Sequence, residues 1–276
     1  MRYLAIGGDR RMLGLHRAAQ RAGWSGDWFE EELPDSLPAC DAVFLPWPHS
    51  LRAERLVVGG ERMGAPKERL LAALPPCRLV LCGSGVEDEA LAQASSICRP
   101  EKDELFLRRN AQLTAEGAVC TAMQHLGRSL LGCTCLITGY GRIGQELTGR
   151  LVAMVAFVIV CARSEIRMRA AHALGAHPVP LAQLAQAASS ADLILSTVPA
   201  TVLDEAALGR VKKEALIIEL ASAPYGVDLA AAGRLGLRVR HEPGVPGRYA
   251  PMEAGEALFE AALRQMKRLE EGTKHG

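Results

Sequence analysis

Aromatic residues make up only 4% of this 276-residue chain, although 49% of its residues are hydrophobic. Its core must therefore be built from Ala, Leu and Val, as the buried strands of parallel α/β proteins allow. It also lacks any block of like charge. The 32 basic and 31 acidic residues are spread along the chain, and the formal net charge is +1. That balance argues against a nucleic-acid or membrane partner. There are eight cysteines but no C-x-x-C pair, and several lie in apolar runs such as RLVLCGSG and VIVCARS. Such thiols act as small buried hydrophobes in a reducing compartment. Cys133 and Cys135 are read as pointing to opposite faces of one strand, and no metal site is expected. No apolar run reaches the roughly 18 residues that would cross a bilayer. LVAMVAFVIVCA comes closest and then meets Arg163. The N-terminal MRYLAIGG enters a strand directly, with no secretory leader, so a soluble cytoplasmic protein is expected.

What is present is an alternation of short apolar bursts and helix-length segments. YLAIGG, DAVFLPWP and RLVLCGSG each close in Gly or Pro, as buried parallel strands do. The stretch from His49 to Pro76 is polar and proline-rich and is read as weakly structured. From Thr114, taken as an N-cap, Ala115, Ala118, Val119, Ala122, Met123 and Leu126 recur at helical spacing. TCLIT, FVIVCA, DLILST, ALIIEL and LRVRH then follow as strands separated by helices. The final run from Met252 is an amphipathic helix. The pattern predicts two Rossmann-like doubly wound α/β domains, over residues 1–113 and 128–250. A long helix, 114–127, bridges them, and a C-terminal helix, 251–276, packs back on the first.

Between TCLIT and its following helix stands Gly139-Tyr140-Gly141-Arg142-Ile143-Gly144, a G-x-G-x-x-G turn. Alone the motif is weak; after a strand and before a helix it is the dinucleotide-binding signature. Gly139 permits the tight turn, Gly141 allows backbone amides to approach a pyrophosphate, and Gly144 lets helix pack on strand. The pyrophosphate rests on the helix N-terminus. At the end of the next strand, where an NAD site has Asp or Glu, this chain has Arg163-Ser164. A guanidinium suits a ribose 2′-phosphate, so NADP(H) is favoured. Glu165 beside it keeps NAD(H) open, as does the solvated reading of an exposed Arg. Thr197-Val198-Pro199 and Ala221-Ser222 end the next two strands, at the edge where a nicotinamide would sit. Both are also ordinary βα-turn compositions.

Over nearly its whole length the chain resembles the A subunit of dipicolinate synthase. The resemblance rests on the order of AIGGD, LTAEGAV, MQHL, TGYGRIG, VCARSE, STVPATVL, ELASAPYGVD and PGVPGRYAPMEAGE. The chain departs from that family's pattern at Val155, where a helix-ending Gly is usual, at Glu219 in place of Asp, and at Tyr225 in place of Gly. The resemblance implies NADP-dependent oxidation of dihydrodipicolinate to pyridine-2,6-dicarboxylate, in a sporulation pathway and with the flavoprotein-like B subunit of that enzyme. It assigns the first domain to substrate and catalysis and suggests homo-oligomers.

A small dicarboxylate substrate needs its charges neutralised and its ring oriented. Ser84, Ser222 and Arg248 are the side chains read as carboxylate binders. Glu116, taken as the second position of the bridging helix, is either the acceptor of the ring proton or a complement to the helix dipole. His125 is read as a packed or surface residue. Two other readings stand beside this one. A 2-hydroxy-acid-type dehydrogenase would need an Arg shortly after ALIIEL, and LASAPYG has none. A non-catalytic nicotinamide-binding protein would share the fold.

Overall fold

The structure is a computed structural model that describes residues 1–59, 62–154 and 156–273. The chain divides into two compact units, Met1–Asn110 with Pro246–Gly276, and Ala111–Val245.

The first unit opens β1 (Arg2–Ile6), α1 (Arg10–Arg21), β2 (Ser25–Phe29) and β3 (Ala42–Phe44). It continues β4 (Leu51–Arg52), β5 (Arg55–Val58), β6 (Arg62–Pro66), α2 (Lys67–Ala73), β7 (Leu79–Leu81) and β8 (Ile97–Cys98). Strands β2-β1-β3-β7-β8 form a parallel sheet in that order. The order places a topological switch between β1 and β3. Side chains alternate between two cores, with Tyr3 and Ala5 on one face and Ile6 and Val43 on the other. The segment read as weakly structured instead holds the antiparallel ribbon β4-β5-β6 and helix α2. Its strands are two to five residues long, too short to show a period. Strands β2 and β8 also lacked a recognisable pattern, being edge strands of SGDWF and two residues.

Helix α3 runs from Glu104 to His125, so it starts ten residues before Thr114. The cap is Asp103, whose Oδ1 accepts from the Phe106 amide at 2.8 Å. Arg264 holds the same carboxylate through two hydrogen bonds of 2.8 and 3.1 Å. Thr114 is buried inside the helix, and Met123, expected in the core, is 60% exposed.

The second unit contains β9 (Thr134–Thr138), α4 (Arg142–Ala153), β10 (Phe157–Ala162), α5 (Glu165–Ala173) and β11 (His177–Pro180). Then follow α6 (Leu184–Ser190), β12 (Leu193–Ser196), α7 (Glu205–Leu208), β13 (Leu216–Glu219), α8 (Leu229–Arg234) and β14 (Arg238–His241). Its six strands are all parallel, in the order β11-β10-β9-β12-β13-β14. That is the Rossmann order, with the switch between β9 and β12. Cys133, Cys135 and Ile137 face one core cluster and Leu136 and Ile194 the other. Cys133 and Cys135 therefore share a face, because positions two apart along a strand point the same way. Burial pushes the Cys161 thiol up to about 11.

His241 ends β14. The short helix α9 (Val245–Tyr249) precedes α10 (Pro251–Thr273). Within the first unit α10 packs on α1 at glycines. A Cβ on Gly255 would come within 2.0 Å of the Arg11 carbonyl oxygen. The substitution at Val155 lies outside the described residues.

Candidate functional site

The fingerprint turn follows β9 at the switch point of the second sheet. Gly139 has φ +92°, and its amide donates to the Cys161 carbonyl at 2.8 Å, tying the turn to β10. A Cβ on Gly144 would meet the Gly139 carbonyl oxygen at 2.4 Å, so glycine there lets α4 lie against the turn. Thr148 Oγ1 donates to the Gly144 carbonyl at 2.7 Å. Gly141 differs from both. Its φ is −84°, accessible to any residue, and a Cβ there would meet nothing within 4 Å. Nothing among the described residues requires a glycine at that position.

Gly141 is also the N-cap of α4 and gives that helix end no side-chain cap bond. Arg142 is exposed, and Ile143 packs partly on the core. Tyr140 is buried in that core, and burial raises its phenol. What Tyr140 offers at the turn is its backbone, whose carbonyl accepts from Gln145 Nε2 at 3.5 Å.

At the end of β10, Arg163 is exposed and makes no hydrogen bond or ion pair with another described residue. Ser164 is the N-cap of α5 but its hydroxyl makes no cap bond. Glu165 is engaged by Arg169 one turn on, at 2.5 Å.

Across the switch, Thr197 Oγ1 donates to the Thr138 carbonyl at 2.7 Å. Thr197 and Val198 bound the space beside Gly139, and Pro199 is exposed. Thr138 Oγ1 is buried without a hydrogen-bond partner among the described residues. Ser196 lies in register with Thr138 on β9 and with Glu219 on β13.

Glu219 is fully buried. Its Oε1 accepts from the Ala221 amide, and Oε2 from the Gly226 and Val227 amides, each at 2.8 Å. Burial raises its pKa, opposed by these three amides and by the neighbouring Ser196 hydroxyl. The carboxylate closes a loop in which Ser222 is exposed and its carbonyl accepts from the Tyr225 amide at 3.1 Å. Tyr225 has φ +56°, the conformation that favours the glycine usual there. Its ring turns onto His241, edge-on, with centroids 4.7 Å apart. Glu219 was visible in the sequence only as a departure from pattern; its role as a clamp needed the folded loop.

The other site candidates are distributed between the units. Glu116 stands in the middle of α3, exposed, with Arg150 of α4 at 3.4 Å. The expected place at a helix start is corrected, since Asp103 caps that helix. His125, at the other end of α3, accepts from Arg240 at 3.0 Å. In the first unit Arg248 is exposed on the short helix α9. Ser84 lies after β7, with its Oγ 2.5 Å from Nδ1 of His49, a residue that no motif in the sequence singles out.

Residues 106–231 match the NAD binding domain of the D-isomer specific 2-hydroxyacid dehydrogenases. The A subunit of dipicolinate synthase from Bacillus subtilis is 28% identical over 180 residues, which span 63% of this chain and 61% of that protein. The crystal structure of the A subunit of dipicolinate synthase from Bacillus halodurans superposes with a TM-score of 0.82 at 23% identity, covering 96% of this chain and 97% of that one. The corresponding crystal structure from Bacillus subtilis gives 0.80, also at 23% identity, over 100% and 98%. At such identity the likeness of the two structures is one of fold. Among the described residues no helix is long and apolar enough to cross a membrane. The chain is thus similar to the A subunit of dipicolinate synthase in sequence and in fold, and its second unit carries a dehydrogenase-type NAD binding domain.

Proposed function

We propose that the chain is the nicotinamide-binding A subunit of a dipicolinate synthase, oxidising dihydrodipicolinate to pyridine-2,6-dicarboxylate with NADP⁺. The observation that carries the cofactor half is Gly141. Its two partner glycines are explained by φ and by backbone contact, whereas the space where its Cβ would stand is open. An open cradle in front of a helix N-terminus suits a pyrophosphate.

The amides of Arg142, Ile143 and Gly144 hold that group, with Gly139 and Tyr140 shaping the turn. Arg163 and the unused Ser164 hydroxyl take the 2′-phosphate; Glu165 does not compete, being paired with Arg169. This favours NADP over NAD. Thr197, Val198, Pro199 and Ala221 line the place of the nicotinamide ring at the carboxyl edge of the sheet. A nicotinamide bound there would supply the hydride acceptor. The substrate loses one hydride and one proton and becomes aromatic. Ser84, Ser222 and Arg248 are assigned to its carboxylates. Glu116, exposed and with Arg150 only at 3.4 Å, is assigned to the proton.

The same reading places the protein in the cytoplasm of sporulating cells, as a homo-oligomer working with a flavoprotein-like B subunit. The match to the 2-hydroxyacid dehydrogenase domain supports the cofactor, while LASAPYG lacks the arginine such a substrate site needs. Absorbance at 340 nm, with purified chain, dihydrodipicolinate and NADP⁺ or NAD⁺, with and without the B subunit, tests the proposal. NADPH formation is the expected result. Reduction with D-2-hydroxy acids alone would replace it with the dehydrogenase reading.

A further inference from the structure

The first unit ends two neighbouring strands in loops that are stitched together by several hydrogen bonds. After β3, Pro46 to Ser50 runs beside Cys82 to Gly85, which follows β7. Ser50, fully buried, donates to the Pro46 carbonyl and accepts from the Gly83 amide, both at 2.8 Å. The Ser84 amide donates to the Pro48 carbonyl at 2.7 Å, and the Ser50 amide to the Ser84 carbonyl at 3.0 Å. A Cβ on Gly83 would stand 2.1 Å from the Pro48 carbonyl oxygen, so only glycine lets the loops meet. Behind them the Arg99 guanidinium, 12% exposed, donates to the carbonyls of Gly83 and Val86 at 2.5 Å and is balanced by Asp88.

All of this bracing converges on an exposed pair. His49 Nδ1 and Ser84 Oγ are 2.5 Å apart, while the second acceptor open to that hydroxyl, the Pro48 carbonyl, is 3.3 Å away. We assign the hydroxyl proton to the shorter contact. Nδ1 then accepts, and the imidazole carries its own proton on Nε2. Nothing in the fold of the first unit needs an exposed imidazole fixed in one tautomer. A supporting shell that locks an exposed polar group is the arrangement of a ligand site. Its place at the carboxyl ends of β3 and β7, next to the switch between β1 and β3, is where open α/β sheets bind ligands.

We propose that His49 is a substrate-binding residue whose Nε2–H donates to a carboxylate of the substrate, and that Ser84 is the positioning residue that fixes its ring. This rests on the dicarboxylate reading above and deepens it, since Ser84 then acts through His49.

The test is calorimetric titration of the full chain with pyridine-2,6-dicarboxylate, alongside the ¹⁵N resonances of the His49 ring. His49→Ala is expected to weaken binding about tenfold or more. His49→Asn, which can still reach Ser84 but has no group at Nε2, is expected to be equally weak. Ser84→Ala should weaken binding less and shift the His49 ring to mixed tautomers, which loss of stability alone would not do. Urea unfolding of each variant, followed by the fluorescence of Trp24, Trp28 and Trp47 in the first unit, checks that it is folded. If the wild type binds the dicarboxylate and both His49 variants bind it equally well, the inference is wrong and the substrate reading stands. If the wild type binds only a different carboxylate, such as pyruvate, in a His49-dependent way, the inference stands and the substrate reading falls. Binding of neither overturns both. Labelling of Ser84 by a fluorophosphonate would show a nucleophile with its base, and would also overturn the proposal.

Discussion

Removing the Glu219 carboxylate should be among the most damaging single changes in the second unit. Glu219→Ala leaves three amides without an acceptor, and those of Gly226 and Val227 are buried. Each buried donor left unpaired costs about 1–3 kcal/mol, so the two buried ones alone give roughly 2–6 kcal/mol. That is a large share of the stability of an ordinary domain. Glu219→Gln should cost less, about 1–3 kcal/mol, because one oxygen still accepts while its NH₂ group opposes an amide donor.

The two variants also differ from wild type in a pH-dependent way. Burial raises the folded-state pKa of Glu219 above its ordinary value. A raised pKa means that the folded protein binds the proton more readily than the unfolded chain. Its stabilising share is complete below the ordinary glutamate range near pH 4 and is lost as pH rises through the raised value. Gln does not titrate, so its deficit relative to wild type should be greatest at low pH and should narrow as pH rises. Urea unfolding of wild type and both variants at pH 5, 7 and 9 measures this directly. A Glu219→Ala variant within about 0.5 kcal/mol of wild type would refute the clamp. A Gln deficit that widens with pH would refute the sign of the shift.

Three further outcomes concern other sites. Gly141→Val should abolish NADPH binding, read by fluorescence titration, while costing no more stability than the roughly 0.5–2 kcal/mol of a poorer N-cap, since a Cβ there meets no described atom within 4 Å; unchanged binding would remove the cofactor assignment. Arg163→Ala should weaken NADPH by about 1.5–3 kcal/mol and NADH hardly at all, because only the former has a 2′-phosphate for the guanidinium; equal losses would count against NADP. Asp103→Ala removes the α3 cap and leaves Arg264 only its longer contact with Glu260 at 3.8 Å, so a loss above the roughly 0.5–2 kcal/mol of a cap alone is expected. Although burial works against it, pairing with Arg264 and the Phe106 amide lowers the Asp103 pKa overall. Its contribution is therefore present above the ordinary aspartate range and lost as pH falls, so urea midpoints of wild type and variant should converge in acid.

What was legible in the sequence depended on how far each signal is local. The buried strands declared themselves because both faces of a parallel sheet are covered, so FVIVCA and ALIIEL are apolar without alternation. The glycine turn was equally local: strand, turn and helix are consecutive, and the roles of Gly139 and Gly144 follow from them. The start of α3 was missed because ELFLRRNAQL carries charges among its apolar residues, and its cap, Asp103, is secured by Arg264, far away in the chain.

The hidden parts of the sites share that cause. Glu219 is an ordinary residue at a strand end until the chain from Ala221 to Val227 folds back and offers it three amides. His49 and Ser84 are 35 residues apart, and neither flanking sequence hints at the other. Only the parallel pairing of β3 with β7 brings their loops together, and only Gly83 lets them touch. A motif reports chemistry that neighbours in sequence can complete. Chemistry completed between strand ends of a parallel sheet is written in the strand order, which no single segment contains. Gly141 is readable as a cofactor turn because its strand and helix are its neighbours in the chain, whereas the polar groups around it, and those of the first sheet, are readable only after the fold is known.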